Sequence, residues 1–278
     1  MSQPFISVIV PVFNQSPFLE ESLNSILNQT FENWECIIID DFSTDHSGVI
    51  AKEWCDKDNR FSYFKNPEKG VSNARNFGIS RAIATYILPV DADDKIAETF
   101  LEKIHSNFKS NPDLSIIYSN VKFFGVKTNS YILPEYSYKK LLTQNCFVIT
   151  SAFKKTDWER VGGYDEKLES FEDWDFWIRL LDENSTVFKI EEELFFYRKH
   201  KKGSLSNKFS MDVKFYFNLY DYIYIKNKII YDRFFGNPIL AFHENLELNK
   251  FSDKIKKNIL FKIYNFLKKK YDFRRNKK

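Results

Sequence analysis

The sequence predicts an α/β fold, a mainly parallel sheet with helices on both faces. Three observations carry this. Short β-branched runs alternate with helical periodicity over the first hundred residues. The central run, Ile37-Ile38-Ile39, is apolar without alternation, as in a parallel strand covered on both faces. Polar clusters follow the first, second and fourth of these runs.

Taken in order, Ile6-Ser7-Val8-Ile9-Val10 is a strand run ended by Pro11. Ser16 then supplies an N-cap and Pro17 a first helical position, and Leu19, Leu23, Ile26 and Leu27 continue at helical spacing. Trp34 to Ile39 reads as the second strand, with a helix over 45–56 and a short strand over 61–64. A helix over 72–84, a strand over 85–90 and a helix over 97–108 complete the βαβα rhythm. Right-handed crossovers gather the carboxyl ends of such strands on one rim, where open α/β sheets bind ligands. Asn14, Asp40-Asp41 and Asp91-Ala92-Asp93-Asp94 would all lie there. Beyond residue 110 the rhythm changes, with strand patterns over 114–124 and 147–153 and a Gly162-Gly163-Tyr164-Asp165 turn. Trp174, Trp177, Ile178 and Leu181 then mark one face of a short helix, with Glu172, Asp173 and Asp175 in its first turn, where the helix dipole favours negative charge. From about Ser210 the pattern is helical.

Three cysteines, Cys36, Cys55 and Cys146, are odd in number and widely spaced, so they read as reduced thiols of a cytoplasmic protein. No apolar run approaches the roughly 20 residues of a membrane span, which predicts a soluble or peripheral protein. From Lys250 onward 12 Lys and Arg face 2 Asp, so the tail carries +10 and the residues before it −7 of the chain's +3. Ile255, Ile259, Leu260, Ile263, Phe266, Leu267 and Tyr271 recur there at helical spacing among lysines. Such a basic amphipathic helix either lies on the inner face of an anionic membrane or packs on the protein or a second subunit.

The acids at 91–94 are the sharpest signal. Three carboxylates in four positions, with no Lys or Arg beside them until Lys95, either cap the next helix or meet a positive ligand. Five segments occur in order: Pro11-Val12-Phe13-Asn14, Gln29-Thr30-Phe31, Ile38-Ile39-Asp40-Asp41-Phe42-Ser43-Thr44-Asp45, Gly70-Val71-Ser72-Asn73-Ala74-Arg75-Asn76 and Asp91-Ala92-Asp93-Asp94. Together with Phe171-Glu172-Asp173-Trp174, this ordered set resembles the family 2 glycosyltransferases of the GT-A fold over roughly residues 4 to 200.

The resemblance implies an inverting enzyme that moves a sugar from a nucleoside diphosphate sugar, UDP-linked by preference, to a hydroxyl of a surface glycan. Its domains would be a catalytic 1–208 (donor half 1–110, acceptor half 111–208) and a helical extension 209–278. The family's DXD motif maps to Asp91-Ala92-Asp93, which makes Asp93 the expected ligand of Mn2+ or Mg2+. Asp91 or Asp94 would help, and the sequence leaves open which. His200 is a further candidate for the metal shell or the diphosphate. Asp41 would accept from the uracil N3–H, with Pro11 and Phe13 lining the base pocket and Gly70 and Arg75 facing the nucleotide. Asn14 reads equally as a turn residue, and Arg75 as a surface ion pair. Asp173 would be the general base, with Glu172 beside it and Trp174 and Trp177 as the wall and acceptor platform. The partners implied are the donor and a glycan or lipid-linked glycan acceptor, with a homo-oligomer compatible and no nucleic acid. Two rival readings are a sugar nucleotidyltransferase, whose Gly-rich triphosphate loop is missing after the first strand, and a non-catalytic binding module, which would have lost Asp93 or Asp173.

Overall fold

The computed structural model describes residues 3–200 and 213–236, with positions 248, 250, 252, 254 and 255. Apart from Ile255, the apolar positions of the predicted amphipathic tail lie outside these residues, as does the predicted boundary at 208. The chain divides into two compact units, Met1–Ile223 and Tyr224–Lys278. No helix of the described residues is long and apolar enough to cross a membrane.

The first unit opens with the βαβα rhythm the sequence predicts: β1 (Ile6–Val12), α1 (Leu19–Leu27), β2 (Trp34–Asp40), α2 (Ser47–Lys57), β3 (Phe61–Lys65), α3 (Val71–Arg81) and β4 (Tyr86–Pro89). There follow β5 (Lys95–Ile96), α4 (Phe100–Ser110), β6 (Leu114–Gly125), β7 (Ser130–Tyr131), α5 (Tyr138–Leu141), β8 (Ala152–Lys154), α6 (Lys155–Val161), α7 (Glu172–Leu180), β9 (Thr186–Lys199) and α8 (Val213–Lys226). In the second unit α9 spans Lys228–Phe235.

The sheet runs β3-β2-β1-β4-β8-β6-β9-β5, with β7 paired to β6. Its first four strands are parallel and buried along β1, β2 and β4, while β8 joins β4 and β6 in antiparallel pairing. The chain moves outward from β1 through β2 to β3, then returns across β1 to β4. That reversal places a topological switch point between β1 and β4, where the ends of adjacent strands diverge and leave a crevice for a ligand.

Local departures from the sequence reading have identifiable causes. β1 continues through Pro11 to Val12, because Pro11 lies past Ile9, the last residue registered with β4, so its missing N–H breaks no bond on that side. α1 begins at Leu19 instead of Pro17: Ser16 donates its N–H to Asp45, and Phe18 and Leu19 donate to the Gln15 carbonyl in a preceding turn. Of the predicted 147–153 strand only Ala152 and Phe153 pair, as the start of β8. Upstream, Asn145 accepts from the Phe147 N–H at 3.1 Å and bends the chain into an Asx-type turn.

α3 lies on β1 and β2 at Gly78. A Cβ there would come 2.7 Å from Ile9 Cγ2 and 3.0 Å from Ile39 Cγ1, both inside buried strands. Gly78→Ala is therefore expected to cost about 1–3 kcal/mol through overpacking, read from the denaturant midpoint.

Candidate active site

At the end of β2 the two acids divide their work. Asp40 accepts from the Ser43 N–H and the Tyr63 hydroxyl, each at 2.9 Å, and holds the turn. Asp41 is held by the Asn66 side-chain amide at 2.7 Å and the Gly70 N–H at 2.9 Å. Gly70 has φ 136, open to glycine, and stands just before α3. Two donors thus orient a carboxylate that still has lone pairs for an N–H donor.

The end of β1 meets the same loop. Asn14, at φ 52, accepts from the N–H groups of Thr44 at 2.8 Å and Asp45 at 3.3 Å. Its side chain stitches two loops together, the turn role that is one of its two readings, and the residue itself stays exposed at the rim. Pro11 is buried in β1, so any contact of this residue with a base falls to its backbone. Phe13 is 45% exposed, with Lys69 Nζ 5.1 Å from its ring centroid.

At the end of β4 the four residues are sorted by burial. Ala92 is buried, so any nucleotide contact there falls to its backbone. Asp94 is 1% exposed, and one carboxylate oxygen accepts from the Arg198 N–H at 2.7 Å. Burial and the neighbouring Asp93 and Asp91 push its carboxyl well up. Asp94 thus clamps β9 to this loop through one oxygen, while its Oδ2 is buried without a hydrogen-bond partner among the described residues. Arg198 completes the clamp by donating through Nε to the Asp93 carbonyl at 2.6 Å and by pairing with Glu21. Asp93 and His200, both partly exposed, face each other at 2.7 Å. Burial, then Asp91, raises the Asp93 carboxyl, and His200 counteracts this. Among the described residues, no three His, Cys, Asp or Glu side chains are grouped to hold a metal. The donor set is a carboxylate and an imidazole. That pair fits Mn2+ or Mg2+ where substrate phosphates and water complete the shell, as is usual for nucleotide-bound ions.

Asp91 turns the other way, toward Arg75. The Arg75 guanidinium is 3% exposed and donates to Asp91 at 2.8 Å and to Glu172 at 2.6 Å. It is neither the predicted surface ion pair nor a free nucleotide ligand; it ties the β4 rim to the start of α7. Its Nε is buried without a partner.

Phe171, immediately before α7, sits at φ 62, a left-handed conformation costly for a bulky side chain. Asp173 follows in the first turn and accepts from the Asn145 side-chain amide at 2.9 Å and from the Trp174 N–H at 2.7 Å. Part of its surface still reaches solvent. Burial first, and the adjacent Glu172 second, push its carboxyl up to about 7, against the opposing pull of Arg75. Trp174 is 7% exposed with its indole N–H bonded to the Leu141 carbonyl at 2.6 Å. Trp177 is fully buried against Phe147, Phe153 and Phe176. Neither is the open acceptor platform expected of them. Arg198, Asn145 and Asn66 are site residues that no pattern in the sequence marked, since each acts through a partner distant in the chain.

The geometry can be set beside known proteins. A sequence profile of glycosyl transferase family 2 matches residues 7–159, more than half of the chain. The chain belongs to glycosyltransferase family 2. An uncharacterized glycosyltransferase of Haemophilus influenzae is 33% identical over 226 residues, 79% of this chain and 89% of that one. EpsJ of Bacillus subtilis, also an uncharacterized glycosyltransferase, is 28% identical over 213 residues, 71% of this chain and 62% of its own. Among solved structures, S. aureus TarS 1-349 in complex with UDP-GlcNAc aligns with a TM-score of 0.63 at 21% identity, covering 73% of this chain and 60% of that one. The Pyrobaculum calidifontis mannosyltransferase PcManGT, in complex with GDP-Man and Mn2+, aligns at 0.58 and 19%, covering 73% and 59%. These structural likenesses establish the fold, which is GT-A. This family 2 chain thus spans about three fifths of the length of EpsJ and of the TarS chain.

Proposed function

We propose that this family 2 chain transfers a glycosyl group from a nucleoside diphosphate sugar, with uridine the base that suits Asp41, to a saccharide hydroxyl. The observation that carries the reading is Arg75, which holds Asp91 at the donor rim and Glu172 beside Asp173 in one ion-paired unit. Donor and base sites are thereby set at a fixed spacing, as an in-line displacement requires. The names of the relatives, and the UDP-GlcNAc and GDP-Man complexes of TarS and PcManGT, support the donor class.

In this reading Asp41 binds the base and residues 1–110 hold the donor. Asp93 and His200 would hold Mn2+ or Mg2+, which would supply Lewis-acid stabilisation of the leaving diphosphate. Asp173 takes the proton of the acceptor hydroxyl as that oxygen attacks the anomeric carbon, and the diphosphate leaves from the opposite face. A carboxyl raised to about 7 is matched to this work at neutral pH. The product is then the inverted anomer, which NMR of the new linkage reads directly. Retained configuration would contradict the single displacement. A surface or lipid-linked glycan is the acceptor class we assign to residues 111–208.

The direct test is calorimetry of UDP with Mn2+ and with EDTA. Affinity is expected to fall by about tenfold or more without the metal, and Asp93→Ala to lose the difference. Equal affinity in both conditions would sink the metal-bridged donor site.

A further inference from the structure

Trp174 is covered by other rings. Phe171, strained at φ 62, stacks on Tyr220 at 5.4 Å with 15° between planes and lies 5.5 Å from Tyr216. Its ring meets Trp174 edge-on at 5.7 Å, and Trp174 meets Tyr220 edge-on at 5.9 Å. Tyr216 and Tyr220 come from one face of α8, four residues apart. The Trp174 indole is anchored below through its bond to Leu141. Yet Tyr220 remains 42% exposed. The result is a shelf of three rings with a fixed underside and an open side, standing at the N-terminal end of α7, where Asp173 lies.

We propose that this shelf, Phe171 with Tyr216 and Tyr220, is the platform for the acceptor's sugar ring. The proposal rests on the glycosyl-transfer reading and deepens it. A pyranose has an apolar C–H face and a hydroxyl rim. Aromatic faces attract the polarised C–H groups, and phenol hydroxyls at the ring edges pair with sugar hydroxyls. An aliphatic chain would use the rings and leave the phenol hydroxyls and the Asp173 carboxylate unmatched. A saccharide uses all three, and lying on the shelf it brings a hydroxyl toward Asp173. The strain at Phe171 is then accounted for: the left-handed turn holds that ring in the stack at the start of the helix bearing the base. The extension helix α8 thereby contributes to substrate binding in the first unit.

The test uses the full chain saturated with UDP and Mn2+, and methyl glycosides of glucose, galactose and N-acetylglucosamine as probes. Saturation-transfer NMR is expected to mark protons of one sugar face for at least one probe. Tyr220→Phe should keep the stacking and lose only the hydroxyl's share, about twofold to threefold, while Tyr220→Leu and Tyr220→Ala weaken binding by about tenfold, the worth of one stacked ring. Melting curves verify the fold of each variant, and Tyr220→Leu, which keeps apolar bulk, guards against simple loss of packing. If no probe binds the wild type, or if Tyr220→Leu binds as the wild type does, the shelf is not the acceptor platform. Wild-type protein that binds the probes but neither UDP nor UDP-sugars would instead overturn the donor reading and leave a saccharide-binding shelf.

Discussion

Asp173→Asn is expected to reduce glycosyl transfer by about a hundredfold or more while leaving UDP affinity nearly intact. The side chains are isosteric, and the amide oxygen can still accept from Asn145 or from the Trp174 N–H, so the α7 turn should persist. What disappears is the basic carboxylate. Wild-type kcat should rise with pH through about 7, as the buried carboxyl loses its proton, and the variant should lack that limb. Stability supplies an independent check, with its sign fixed by linkage. A carboxyl raised on folding binds more protons native than unfolded, so it favours the fold below the unfolded value and loses that contribution as pH rises toward 7. The variant, neutral at every pH, should therefore gain melting temperature relative to wild type at pH 8, and that gain should shrink as pH falls through 5 toward the unfolded value. A protein more stable at pH 8 and nearly inactive is the signature of a base. Retained turnover would move the proton acceptor elsewhere, and Glu172 is a poor substitute because Arg75 already occupies it.

Arg75→Met is expected to destabilise the protein by about 3–5 kcal/mol, the cost of stranding carboxylates whose buried partner is gone. Arg75 is itself deeply buried, whereas the Asp91 and Glu172 side chains are 31% and 14% exposed. Water can therefore relieve Asp91 in part, which points to the lower end of that range. A melting shift of about 10 °C would follow for a chain of this size. Arg75→Lys keeps the charge but cannot reach two carboxylates with a planar fork, so it should recover only part of the loss. A second readout separates this from generic damage. Arg75 pulls the Asp173 carboxyl down, so in surviving Arg75→Lys enzyme any weakening of that field should move the kcat limb to higher pH. An unchanged melting curve in Arg75→Met would show that the pairing at the rim carries little stability.

Much of the fold was legible because burial leaves a local trace. The apolar runs of β1 and β2 and the helical spacing of Leu19, Leu23 and Ile26 encode which face is covered, and the order of strands and helices implied a rim at their ends. Aspartates there at Asp41, Asp91 and Asp93 followed from that placement together with the family resemblance. The 147–153 segment shows the limit: its apolar letters suggested a strand, but the Asx-type turn at Asn145 bent the chain and delivered that amide to Asp173.

By itself, then, the sequence determined the parallel core, the acidic clusters and the family. Only the tertiary structure decided what each polar side chain does. Arg75 meets Glu172 across 97 positions, and the Arg198 N–H meets Asp94 across 104, so no window of sequence contains either pair. Those pairings turn Asp91 toward Arg75, bury Asp94 in a clamp and leave Asp93 with His200. Trp174 and Tyr220 divide for the same reason. Periodicity places an aromatic on a helix face, but whether that face is covered depends on an element from another part of the chain, and here α8 covers Trp174 with Tyr220.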